Sequence, residues 1–266
     1  MKGIVYVAAL CSAMLISGCV TTKELVVGVD ANGNEILRNV EGINYEKAAN
    51  DRINLAVRYI QYKEMTMAKS NLELAEKYNP GTENLYLAWG YYYMTVEDYF
   101  NAEKVYKEAL SKYPHSGYVL TRYGAFLCSQ KKYSEADKMF LDAVKIPNYA
   151  AISSTYEEAA ICSYDQGDRK RTARYFEQAM NYGGNSPSLL YNFAQFSYEE
   201  GDYQKADKLM RTFDMFEKND TAQTLFLKIK IATKLGQYSS AEIYGRTLMS
   251  KFKNTPEGTE YLKGNY

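Results

Sequence analysis

Along most of the chain, small, aromatic and apolar residues recur at fixed offsets, and the pattern repeats. A small residue in the second half of each unit marks the phase. It falls at Ala68, Ala102, Ala136, Thr172, Ala206 and Ala241, with spacings of 34, 34, 36, 34 and 35 residues. Four residues after the marker stand Leu72, Tyr106, Phe140, Phe176 and Met210, and seven after it Ala75, Ala109, Ala143, Ala179 and Phe213. Twelve before it stand Ala56, Gly90, Gly124, Ala160 and Ala194, each preceded by a larger or apolar residue: Leu55, Trp89, Tyr123, Ala159 and Phe193.

These types suit two antiparallel helices that cross closely. Ala or Gly lets the backbones approach, and an aromatic on the facing helix fills the remaining gap. Pro80, Pro114 and Pro147 stop second helices, because proline lacks the N–H and restricts the residue before it. Gly167-Asp168, Gly201-Asp202 and Gly236-Gln237 read as turns within units. A helix pair repeated every 34 residues is the tetratricopeptide pattern. One unit cannot bury its apolar face alone, so units stack. The expected fold is all-α, a right-handed superhelix of about six repeats. The fourth unit departs through Thr172 and a two-residue insertion near Pro147. The sixth carries Lys228 where an aromatic or Leu belongs and Gly245 where a bulky residue belongs, as a terminal repeat with one face to water can.

The N-terminus follows a different logic. Met1-Lys2 precedes a mostly apolar run from Ile4 to Ile16, which is too short for a membrane span of ~20 residues. Ile16-Ser17-Gly18-Cys19 resembles the lipobox of bacterial lipoproteins, which implies cleavage before Cys19 and acylation of that residue. Two or three acyl chains anchor firmly, at ~0.8 kcal/mol per buried methylene. Val20, not Asp, follows the cysteine, which points to the outer membrane and its periplasmic face. The expected organisation is a signal peptide over 1–18, a lipidated Cys and tether over 19–46, the repeat domain over 47–254 and a polar, fraying tail over 255–266. Alternation of Leu25, Val27 and Val29 before Asn32-Gly33 is a weak hairpin signal. The segment is otherwise read as flexible coil with a reach of roughly 30 Å.

Charge narrows the partners. Removing residues 1–18 leaves 31 basic against 32 acidic side chains. That balance offers no excess to neutralise phosphates, so nucleic acid is not an expected partner. The 27 tyrosines pair a large apolar face with a polar tip, which suits half-buried and binding positions. Of four cysteines, Cys128 and Cys162 remain in the repeats. They are expected as small buried apolar side chains, although the periplasm permits a bridge. The single His115 follows Pro114 without a metal-binding or nucleophile partner motif, and no Gly-rich phosphate loop occurs. No enzyme, cofactor, metal or small-molecule substrate is expected.

In this repeat the first helices line a concave face. Counting from the markers, its positions are Ile53, Val57 and Ile60 in the first unit, Leu87, Tyr91 and Met94 in the second, and Tyr118, Thr121, Ala125 and Cys128 in the third. Each could instead pack against residues 40–50 folded back. As a cluster they indicate a groove for an apolar or amphipathic segment. Capture of a terminal carboxylate by Lys and Asn is not expected, because Ile53 and Val57 hold those positions. The fourth and fifth units turn polar and aromatic, with Glu157, Tyr164, Tyr191, Gln195 and Tyr198.

Two stretches carry a more specific likeness. RYGAFLCSQKKYSEA, Arg122 to Ala136, and PSLLYNFAQFSYEEGDY, Pro187 to Tyr203, resemble the third and fifth repeats of the PilF/PilW family of type IV pilus biogenesis lipoproteins. Tyr244-Gly245 after Ala241 also follows its pattern, whereas the first unit and the linker match poorly. The resemblance implies a pilotin-like role: binding the pilus secretin and aiding its outer-membrane localisation or multimerisation. The competing reading is a repeat scaffold for another envelope complex, a protease adaptor or outer-membrane protein assembly. A third is a soluble periplasmic binding module.

Overall fold

The computed structural model describes residues 27–29, 35–37 and 44–266. The expected signal segment and Cys19 lie outside the described residues. Six helix pairs follow one another, each in antiparallel contact: α1 (Tyr45–Gln61) with α2 (Met65–Tyr78), α3 (Glu83–Thr95) with α4 (Tyr99–Lys112), α5 (Gly117–Ser129) with α6 (Tyr133–Ala143), α7 (Ile152–Gln166) with α8 (Arg169–Asn181), α9 (Pro187–Glu199) with α10 (Tyr203–Phe216), and α11 (Ala222–Lys234) with α12 (Tyr238–Phe252). Together they form the right-handed superhelix of six tetratricopeptide repeats. Side-chain caps open most of the helices. Asn44, Thr82, Asp98, Ser116, Asp168, Ser186, Asp202 and Thr221 each accept the backbone N–H three residues on.

The phase markers sit where the helices cross. Ala68, Ala102, Ala136, Thr172 and Ala206 are fully buried. Thr172 is tolerated because its hydroxyl donates to the Asp168 carbonyl at 2.9 Å. The glycines before them are needed for the same reason. A methyl group on Gly124 would stand 2.8 Å from the Phe140 ring, and one on Gly90 would overlap the ring of Tyr106. Inside each unit the turn needs one left-handed residue. Lys63, Glu97 and Lys131 take it in the first three units, whereas Gly167, Gly201 and Gly236 take it in the last three.

Four expectations are corrected. The segment read as a tether contains two strands, Val27–Val29 and Glu35–Leu37, paired antiparallel with Gly28 opposite Ile36. The hairpin signal around Asn32-Gly33 thus outweighs the coil reading at these positions. The tail does not simply fray. Pro256–Leu262 forms α13, capped by Thr255, and its Tyr261 fills the space left by Gly245, which accounts for a glycine where bulk was expected. Lys228 is buried in place of an apolar residue because two carboxylates satisfy it: its ammonium donates to Asp214 at 2.6 Å and Asp220 at 2.7 Å. Cys128 and Cys162 are not separate thiols but a disulfide, with Cα atoms 5.8 Å apart. Their separation of 34 residues is one repeat period, which places them on the neighbouring first helices α5 and α7.

Candidate partner-binding groove

The helices α1, α3 and α5 stand side by side and enclose a concavity of about 700 Å3. Its floor is apolar. Ile53, Val57, Leu87, Tyr91, Met94 and Ala125 all reach it, together with Ala88. Tyr106, from the second helix of unit 2, closes the floor beneath Met94 and donates its hydroxyl to the Met94 sulfur at 3.5 Å. Burial pushes that phenol well above its ordinary range, so it stays protonated.

Four residues expected in the groove are elsewhere, one of them Cys128, which is held in the disulfide to Cys162. Ile60 is 2% exposed and belongs to the core of the first helix pair. Thr121 is buried at the junction of units 3 and 4, where its hydroxyl shares hydrogen bonds with Tyr149 at 3.0 Å and Thr155 at 2.9 Å. Tyr118 lies edge-on to the Tyr149 ring, with centroids 5.0 Å apart, and borders a separate depression with Pro114 and His115. One cause underlies the last two displacements. The insertion near Pro147 carries Tyr149 back against α5, into the space that Gly117 leaves by lacking a side chain.

The groove also holds polar residues that apolar patterning does not reveal: Asn50, Asn54, Gln61, Asn84 and Arg122. A periodic signal was available. Asn50 and Asn84 are one period apart, and Asn54 and Arg122 are two. Among the described residues, Arg122 is the only charged side chain in the lining. It faces Glu158 of α7 at 3.6 Å. Burial raises the Glu158 carboxyl above its usual range; Arg122 opposes that shift and Glu157 adds to it.

On the continuation of this face in units 4 and 5, which carries a smaller depression of about 250 Å3, the carboxylates of Glu157 and Glu199 are paired internally. Glu157 is buried and accepts hydrogen bonds from Ser186 at 3.3 Å, Asn192 at 3.4 Å and Ser188. Tyr164 donates to Glu199 at 2.7 Å, Gln195 to the same carboxylate at 2.8 Å, and Arg169 bridges Glu199 and Glu200. Tyr198 lies under the Lys230 ammonium, and Tyr191 is half-buried. Among the described residues no group of three or more His, Cys, Asp or Glu side chains is placed to hold a metal ion, and no helix is long and apolar enough to cross a membrane. What the site offers is an apolar floor, amides that donate and accept, and one cation.

Repeat array and groove together define a tetratricopeptide-repeat protein. No family model matches the chain. Individual relatives do. It is 26% identical over 218 residues to the type IV pilus assembly protein PilF of Pseudomonas aeruginosa, covering 81% of this chain and 85% of that one. The structure of Pseudomonas aeruginosa PilF superposes with a TM-score of 0.68 at 25% identity, over 84% of this chain and 100% of that one. PilW, described as a widely conserved type IV pilus biogenesis factor, superposes with a TM-score of 0.69 at 25% identity, over 80% and 98%. An uncharacterized protein of Haemophilus influenzae is 31% identical over 129 residues, 48% of this chain and 72% of that one. The chain is homologous to PilF and matches the structures of PilF and PilW, tetratricopeptide-repeat proteins of type IV pilus biogenesis.

Proposed function

We propose that this protein is an outer-membrane lipoprotein, anchored through Cys19 on the periplasmic face, that binds the type IV pilus secretin and promotes its localisation or multimerisation. The observation that carries the reading is the open apolar groove across units 1–3 in a chain homologous to PilF. The role read here is binding: the groove presents an apolar floor, side-chain amides and a guanidinium as recognition groups. Residues 19–44 and the lipid would hold the array beside the leaflet in which the secretin assembles.

Leu87 and Tyr91 stand one turn apart on α3, half-buried and exposed respectively, with Trp89 and Gly90 turned into the core between them. In the double variant Leu87→Glu, Tyr91→Glu the carboxylate at 91 remains in water in the free protein, and the one at the half-buried position 87 reaches water through the open concavity. In a complex they would be desolvated without a partner, which costs several kcal/mol. Secretin binding by purified protein should fall at least tenfold, ~1.4 kcal/mol, with helical content and Tm retained. Cells should then show few detergent-resistant secretin multimers and few pili. Unchanged binding by the folded variant refutes the groove as the secretin site. Separately, Cys19→Ala should release a folded protein from the outer-membrane fraction; a variant that still fractionates there refutes the anchor.

A further inference from the structure

The groove's polar lining restricts what it can hold, given the reading of the groove as a binding surface. Asn50 and Asn54 stand one turn apart on α1, and Asn84 takes the position of Asn50 one repeat later on α3. Among the described residues, none of the three side-chain amides has a hydrogen-bond partner, although each carries two donors and an acceptor. Asn is also a poor helix former, so two of them within α1 stabilise nothing locally. A docked helix would have spent its backbone N–H and C=O groups on itself and could meet these amides with side chains alone. An extended segment presents free backbone groups at every residue, alternating with side chains for an apolar floor.

Arg122 adds a second restriction. Its guanidinium makes an ion pair with Glu158 at 3.6 Å but, among the described residues, no hydrogen bond, so its fork of donors is unfilled there. Glu158 is a poor counter-ion, since its burial disfavours the charged form. A groove whose described lining holds one cation, no anion and unfilled donors selects an acid. The amides are spread along α1 and α3 and Arg122 stands on α5, a spread over three helices that suits a backbone that runs on and not a chain end.

We propose that the groove takes an extended internal peptide segment with apolar side chains toward the floor and one Asp or Glu side chain that seats on Arg122 in place of Glu158.

The test uses the full-length protein in detergent micelles and two random dodecapeptide display libraries, one fused at both ends and one with a free C-terminus. The doubly fused library should yield sequences with an acid at one fixed position and alternating apolar neighbours. Arg122→Glu should move that position to Lys or Arg. Glu158→Gln, which removes the competing carboxylate and keeps the side chain's shape, should tighten the selected peptides by about two- to fivefold; a merely structural Arg122–Glu158 pair would give weaker binding or none. Several results overturn the proposal: no enrichment, enrichment only from the free C-terminus, an apolar pattern of helical period, or selection indifferent to Arg122→Glu. If Leu87→Glu, Tyr91→Glu abolishes capture while the Arg122 variants do not, the groove stands as a binding surface and the acid preference falls. Secretin binding that survives Leu87→Glu, Tyr91→Glu refutes the secretin assignment independently of either library.

Discussion

Units 1–3 and units 4–6 share one chassis and treat its concave face in opposite ways. In the first half the face is an apolar floor edged by amides unpaired among the described residues and by a loosely paired arginine. In the second half the corresponding helices bind their own polar groups: Glu157 to Ser186, Ser188 and Asn192, Arg169 to Glu199 and Glu200, Lys228 to Asp214 and Asp220. The turns differ too, with Lys63, Glu97 and Lys131 at positive φ in the first half and glycines in the second. The crossing positions are indifferent to this split, with alanine or threonine fully buried from Ala68 to Ala206. Packing between helices is thus conserved by geometry, while the face that packing does not need is free to be left open or closed.

The comparison first requires the chassis to be equally firm in both halves. Phe140 in unit 3 and Phe176 in unit 4 occupy the same offset, and each is 2% exposed. Phe140→Ala and Phe176→Ala should each cost about 3–5 kcal/mol by chemical denaturation. A cost confined to one of them would mean that the two halves are not built alike.

The disulfide is the covalent seam between the halves. Cys128 and Cys162 close a loop of one repeat, which the chain-entropy relation values at about 3–4 kcal/mol. Replacing both with Ser should lower stability by roughly 2–4 kcal/mol, and a reductant should do the same to the parent protein while leaving the double variant unchanged. A parent protein insensitive to reductant would remove the bridge from the account.

Much of this was legible in the sequence, and the misses share a cause. Helix crossings are local in pattern: Gly90, Gly124 and the marker alanines recur at fixed offsets because the same two backbones meet in each unit. Lys228 and Gly245 looked like defects because their partners, Asp214 with Asp220 and Tyr261, come from outside the repeat pattern. Thr121 and Tyr118 were lost to Tyr149, which only the path of the insertion brings back to α5. The disulfide followed from a spacing of one period, readable once repeats are known to align their first helices. The period alone places Ile53, Val57, Leu87, Tyr91 and Met94 on one face, and they line the concavity, their role toward a partner resting on the proposal; Asn50, Asn54, Asn84 and Arg122 line it too but escape the pattern, because apolar patterning passes over polar residues on an open face.

The smallest effects contrast the two faces most directly. Glu157→Ala removes the acceptor shared by Ser186, Ser188 and Asn192 at a site that is 8% exposed. Those donors are then left short of partners, at a cost of about 1–3 kcal/mol. Asn84→Ala, on the matching side of the first half, removes an amide that bonds to nothing within the described protein and is exposed in the first turn of α3. Alanine is the better helix former, so the change in stability should stay within about 0.5 kcal/mol. The two variants are to be compared by urea denaturation at equal ionic strength and then in the secretin-binding assay. Asn84→Ala should weaken binding while leaving the fold alone, and Glu157→Ala should weaken the fold while changing binding less. The reverse pattern would mean that the polar half is the partner surface and that the groove's amides are bystanders.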